Sequence, residues 1–151
     1  MENLDYSIIA QLQENGRRPF TEIARSLGVT EGTVRKRVSR LLDEGLVRIV
    51  GRVDPLQVGL NAPAIVHINV APAELDGAAK AIASFPEVSY LLMVAGEYDL
   101  LVEVRCRDRE HYAQFIREKL TQVPGVIRTV SAMILQTYKT QETSVRTVLV
   151  D

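Results

Sequence analysis

Four cations fall within ten residues. Arg35, Lys36, Arg37 and Arg40 lie between Gly32 and Leu41, a window that holds no acid. Closely spaced guanidinium and ammonium groups can hold a polyanion even on a chain of formal net charge −1, because screening cuts electrostatic reach to about 8 Å at cellular salt. The same run also reads as a solvated helix face. Other chemistries find less support. A single cysteine, Cys106, provides neither an internal disulfide nor a cysteine-rich zinc site. His67 and His111 are 44 residues apart and give no metal-ligand spacing. No Gly-rich phosphate loop follows a strand, and no Ser/His/Asp set or Cys/His pair is signalled. No catalytic residue, metal or cofactor is therefore expected.

The cationic window sits on the last of three predicted helices. Leu4, Ile8, Ile9 and Leu12 recur at helical spacing until Asn15-Gly16. Thr21 is placed to cap a second helix, Glu22 to Leu27, ended by Gly28. Thr30 caps a third, about Glu31 to Glu44, stopped by Gly45. On it Val34, Val38, Leu41 and Leu42 share one face. At ~100° per residue, Gly32, Thr33, Lys36, Ser39 and Arg40 point the other way, with Arg35 and Arg37 flanking the seam. Leu46 to Val53 reads as a short wing or linker strand, broken at Asp54-Pro55. Two helices around a Gly-containing turn, the second with an outward basic face, make a helix-turn-helix whose partner is double-stranded DNA. Thr30, Gly32, Thr33, Arg35, Lys36, Arg37, Ser39 and Arg40 are the DNA-binding candidates. Thr33, Lys36 and Arg40 are expected in the major groove, and Arg17, Arg18, Arg48 and Arg52 are candidates for phosphates only.

At 151 residues, 46% hydrophobic and 25% charged, the chain has the composition of a soluble globular protein of one large or two small domains. No apolar run reaches the ~18–20 residues of a membrane helix. The acidic start, Met1-Glu2-Asn3-Leu4-Asp5, lacks the pattern of a secretory signal, so a cytoplasmic location is expected.

The second part alternates strand and helix signals. Ala64 to Val70 reads as a half-buried strand, Ala73 to Phe85 as a helix, and Val88 to Ala95 and Leu100 to Cys106 as strands. Arg109 to Gln122 reads as a helix and Val126 to Tyr138 as a long final strand. The fold class is α+β: an N-terminal (winged) helix-turn-helix followed by a ferredoxin-like βαββαβ unit. The expected boundaries are 1–54, a linker at 55–61, the second domain at 62–139 and a tail at 140–151. Two helices can cover only one sheet face. Apolar residues on both faces of the second and third strands predict a homodimer stacked sheet on sheet.

The run Leu4-Asp5, Ile8-Ile9, Leu12-Gln13-Glu14-Asn15-Gly16-Arg17, the Glu22-Ile23-Ala24 and Gly28-Val29 turn, and Thr33-Val34, Arg37, Leu41, Gly45-Leu46-Val47 resemble the feast/famine regulators, the Lrp/AsnC family. The βαββαβ unit with Gly96-Glu97-Tyr98-Asp99 is similar to that family's regulatory domain. The resemblance spans about residues 3–139. It implies a transcription factor, homodimeric through its C-terminal domain and assembling to tetramers or octamers, with an amino-acid effector bound between dimers. By position, the effector residues it implies are Gly96, Glu97, Tyr98, Asp99, Thr129 and Ser131. Backbone amides of a Gly-led turn suit an α-carboxylate, Asp99 an α-ammonium, and the two hydroxyls further hydrogen bonds. Gly96 to Asp99 also reads as a plain hairpin connection. Two other readings stay open: a siroheme-decarboxylase-like enzyme, which shares the two-domain plan, and an architectural DNA-binding protein with little sequence preference.

Overall fold

The computed structural model describes residues 2–140 and 144–147. Its N-terminal segment forms α1 (Asn3–Glu14), α2 (Phe20–Leu27) and α3 (Glu31–Asp43). Gly28, at φ 67°, closes α2 in the left-handed conformation that glycine adopts without a Cβ penalty. The Thr30 hydroxyl caps α3 by accepting the Thr33 amide at 3.2 Å. Ile8, Leu12, Ile23, Ala24, Val34 and Val38 form one buried cluster, with Leu4, Phe20, Leu27 and Val29 packed around it. Each helix thus contributes its apolar stripe to a shared core.

Two expectations for this segment change. Thr21 does not cap α2. The helix starts at Phe20 behind Pro19, whose carbonyl accepts the Glu22 and Ile23 amides at 3.0 and 3.2 Å. Proline disfavours helical backbone in the residue before it and presets its own φ, so the turn begins as soon as the ring is passed. The wing is absent among the described residues: 47–54 have no regular structure. A strand needs a ladder partner, and the described part of this unit holds no other strand.

Beyond residue 61 the chain forms β1 (Ala62–Val70), α4 (Leu75–Ala83, after a 3-10 turn at Pro72–Glu74), β2 (Val88–Met93) and β3 (Leu100–Cys106). Next come α5 (Arg109–Gln114) and β4 (Val126–Met133). Helix α5 runs on through a π turn, Phe115–Lys119, and a 3-10 turn, Leu120–Gln122. All strand pairings are antiparallel, in the order β2-β3-β1-β4. Ala64, Val66, Ile68, Leu100, Val102 and Val104 face Ile82, Phe115 and Leu120 across a dry core. Strand β4 is shorter than its apolar run suggested. Its last pairing is Met133 with Ala64, and the Ile134 amide still reaches the Pro63 carbonyl at 2.9 Å. Pro63 has no N–H to return the second bond of that pair, the ladder stops there, and Leu135 and Tyr138 are exposed.

A buried ionic cluster fastens α5. Glu87, 6% exposed, accepts from Lys119 Nζ at 2.6 Å and faces His111 Nε2 at 3.2 Å. Burial works against its charge, but the Lys119 ammonium, a backbone amide and His111 outweigh that and hold the carboxyl below its ordinary range.

The chain divides into two compact units. The described residues up to Gly51, with those described from Lys139 onward, make one, and Arg52–Tyr138 makes the other. In the tail, a 3-10 turn at Val145–Thr147 meets α1: the Val145 amide donates to Gln13 Oε1 at 3.0 Å, and Arg146 pairs with Glu14. The remainder of the 140–151 tail, residues 141–143 and 148–151, lies outside the described residues.

Candidate nucleic-acid interface and ligand turn

Helix α3 presents three kinds of cation. Lys36 is exposed and has no hydrogen-bond or ion-pair partner among the described residues. Gly32 and Ser39 are exposed beside it. Thr33 Oγ1 lies 2.9 Å from Thr30 Oγ1, so these two hydroxyls meet at the helix start. Arg35 pairs with Glu31 one turn earlier, and its guanidinium lies over the Phe20 ring at 5.6 Å from the centroid.

Arg37 and Arg40 turn instead toward α1, onto Asp5, whose side chain is 0% exposed. Asp5 Oδ1 accepts from Arg37 Nη1 at 3.0 Å, and Oδ2 accepts from Arg40 Nη2 at 2.7 Å. Oδ2 also takes the Glu2 amide at 3.0 Å. A second bond joins Arg37 Nη2 to Glu2 Oε2 at 2.6 Å. Burial alone would raise the Asp5 carboxyl, but the Glu2 amide and the two guanidiniums override it and pull it down to about 2. Sequence reasoning missed Asp5. The available signal was an acid at i in a stripe continued by Ile8, Ile9 and Leu12 at i+3, i+4 and i+7, where the core expects an apolar side chain.

The other candidate site is the turn Gly96–Asp99 between β2 and β3. Gly96 has φ 152°, inside the region that favours glycine. The Asp99 amide donates to the Ile68 carbonyl at 3.0 Å, the Val94 amide donates to the Asp99 carbonyl at 2.9 Å, and Asp99 Oδ2 accepts the Val70 amide at 2.9 Å. One carboxylate oxygen is thereby committed to holding the turn. No described acceptor takes the Gly96, Glu97 or Tyr98 amide. Around the turn, Asn69 Nδ2 donates to the Glu97 carbonyl at 2.7 Å, Arg128 lies 3.9 Å from the Glu97 carboxylate, and the His67 and Tyr98 rings are 4.9 Å apart.

The register separates Thr129 and Ser131 from this group. They pair with Ile68 and Val66, both buried beneath the helices, and Ser131 stands beside the Tyr112 hydroxyl. Cross-strand partners share a face. The turn therefore gathers His67, Asn69 and Arg128 on the uncovered sheet face, while Thr129 and Ser131 line the helix side of the edge strand. Sequence reasoning missed Asn69 and Arg128, because their proximity to residue 97 depends on the pairing of β1 with β3 and β4, which local sequence does not show.

Comparison with known proteins covers both units. Residues 1–42 match the AsnC-type helix-turn-helix domain, and residues 63–144 match the Lrp/AsnC ligand-binding domain. An HTH-type transcriptional regulator of Pyrococcus horikoshii is 32% identical over 140 residues, covering 92% of this chain and 89% of its own. The HTH-type transcriptional regulator LrpA of the same organism is 31% identical over 140 residues, covering 92% and 99%. Among solved structures, Escherichia coli AsnC shares the fold with a TM-score of 0.89 at 23% identity, over 95% of this chain and 98% of its own. A Neisseria meningitidis transcriptional regulator, solved as its L-methionine complex, gives 0.87 at 25% identity over 95% of each chain.

Proposed function

The chain belongs to the Lrp/AsnC family of transcriptional regulators, with an AsnC-type helix-turn-helix and an Lrp/AsnC ligand-binding domain, and on that premise we propose that it is a sequence-specific DNA-binding regulator gated by an amino acid or a related metabolite. The observation that carries the reading is the outward face of α3. Its capped start, exposed Gly32 and Ser39, and Lys36, unpaired among the described residues, form a narrow polar face opposite the buried Val34, Val38 and Leu41. A face without bulk near Gly32 suits entry into a major groove about 12 Å wide. Thr30 and Thr33 help to position the helix start, and Arg35 stands at its edge.

The effector reading rests on the turn Gly96–Asp99. Three successive amides without acceptors among the described residues suit an α-carboxylate, with Arg128 within reach of the same turn. The open oxygen of Asp99 and the Glu97 carboxylate suit an α-ammonium. That the Neisseria relative was solved with L-methionine supports an amino acid as the ligand class. Thr129 and Ser131 are reserved for a second element approaching the edge strand, in keeping with a site completed between dimers.

The homodimer is assigned to the uncovered sheet face. His67, Leu101 and Val130 lie on it side by side in register, with Leu92 opposite Leu101 and Ile65 two residues along β1 from His67. Dimerisation there sets two α3 helices against half-sites in successive major grooves, and assembly to tetramers or octamers follows the family pattern. No helix among the described residues is long and apolar enough to cross a membrane. A cytoplasmic regulator needing no cofactor is the reading adopted, and no catalytic role is assigned.

The test is affinity for the duplex most enriched from a randomised pool, against a scrambled duplex of the same length. A regulator of this kind prefers its site by at least about 1,000-fold. Equal affinity for both duplexes, with a steep salt slope, would replace the reading with an architectural protein.

A further inference from the structure

On one helix, the four cations of the basic window meet different fates. At ~100° per residue, Lys36 points almost opposite the buried Val34, Val38 and Leu41. Arg37 and Arg40 lie on the flank turned toward α1. There a single carboxylate receives both guanidiniums, one on each oxygen, and itself has no exposed surface. Arg37 spends both terminal nitrogens, on Asp5 and Glu2, and is 24% exposed. Arg40 is 46% exposed, but its head is held at 2.7 Å from Asp5 Oδ2. A guanidinium already neutralised by a buried carboxylate releases few counterions when a phosphate approaches. Moving it to DNA would leave that carboxylate buried without its partner.

We propose that Asp5 is a positioning residue for DNA reading: it takes Arg37 and Arg40 out of phosphate and base contact and makes them struts that fix α3 on α1, leaving Lys36 as the cation of the reading face. This rests on the DNA-binding function proposed above. The shared carboxylate lies between residues three apart on α3, so it restrains both the rotation of α3 about its axis and its slide along α1. Rotation is the motion that would carry Gly32, Lys36 and Ser39 off the base edges. The two arginines that look most like DNA contacts in the sequence thereby contribute to affinity through the pose of the helix.

The experiment is the salt dependence of binding to the enriched duplex by the full-length protein. Each phosphate contact contributes about 0.9 to the slope of log affinity against log salt. Lys36→Gln is expected to lower the slope by about 1 and leave the melting temperature unchanged. Arg40→Gln and Arg37→Gln are expected to weaken binding by a similar factor at every salt concentration with an unchanged slope. Arg40→Lys keeps a cation beside Asp5 and is expected to select the same base sequence from the randomised pool as the wild type. Asp5→Asn frees both guanidiniums and is expected to weaken binding while steepening the slope, a change that mere loss of stability does not produce. Should Asp5→Asn not fold, the arginine variants decide. A slope lowered by about 1 in Arg40→Gln, or an altered base preference in Arg40→Lys, overturns the proposal and leaves the DNA-binding reading intact. Absence of any binding by the wild type overturns both.

Discussion

Replacing Asp5 with Asn keeps the volume of a buried side chain, removes its charge and turns one of its two accepting oxygens into an N–H donor. In the folded chain its carboxyl lies at about 2, against an ordinary 3.8. At about 1.4 kcal/mol per pH unit, that fall makes the ionised form worth roughly 2 kcal/mol to folding at neutral pH. The Asp5 side chain itself is fully buried, but Arg40 is 46% exposed, so solvent screening makes this figure an upper one. The folded value is depressed, so the contribution is complete above the unfolded value near 4 and disappears as the pH falls through about 2. Asn approximates the protonated acid. Asp5→Asn should therefore cost roughly 2 kcal/mol at pH 7, a large share of what a three-helix unit of this size can hold. The gap to wild type should close with acidification. Urea titrations read on the amide NMR signals of α1 and α3, between about pH 7 and about pH 2.5, measure both quantities. A difference below about 0.5 kcal/mol at pH 7, the scale of an ordinary surface change, or one that does not vary with pH, would refute the argument that this carboxylate is ionised and held by Arg37 and Arg40.

Three further outcomes follow from the second unit. Cys106 is fully buried, and burial, with Glu87 and Asp108 nearby, pushes its thiol up to about 11. It should therefore resist iodoacetamide in the native protein and react at an ordinary thiol rate once unfolded in urea. Asp99→Ala removes the acceptor of the buried Val70 amide, so a cost of about 1–3 kcal/mol in urea unfolding is expected, together with loss of the thermal shift given by whichever of the twenty amino acids stabilises the wild type. Leu101→Asp puts a charge at the centre of the uncovered sheet face, between His67 and Leu92. Sedimentation should then give a monomer with a wild-type circular dichroism spectrum, and a persistent dimer would remove that face from the interface.

What was legible in the sequence is what depends on neighbours along the chain. Gly28, Thr30 and Gly45 bracket α3 because caps and left-handed residues act within one turn. The alternation of Leu100, Val102, Val104 and Cys106 located β3 to the residue. What depends on a distant partner was not legible. A wheel drawn for α3 alone puts Arg37 beside the apolar seam and Arg40 on the outward face, and only the packing of α1 reveals the carboxylate that takes both. Similarly, Val126 to Tyr138 reads as one strand, yet its ladder ends where it meets Pro63 of β1. The faces of Thr129 and Ser131 required the β1–β4 register. The π turn at Phe115–Lys119 has no periodic signature strong enough to separate it from an α-helix, though it lies where Lys119 meets Glu87.

The most direct test of the central claim is to map the protein surface that DNA covers. Amide and side-chain NMR shifts recorded as the enriched duplex is added should move first and most at Gly32, Thr33, Lys36 and Ser39, with the Lys36 ammonium protected from exchange. Shifts confined to the sheet unit, or spread evenly over every exposed cation, would contradict the account of α3 as the helix that reads DNA.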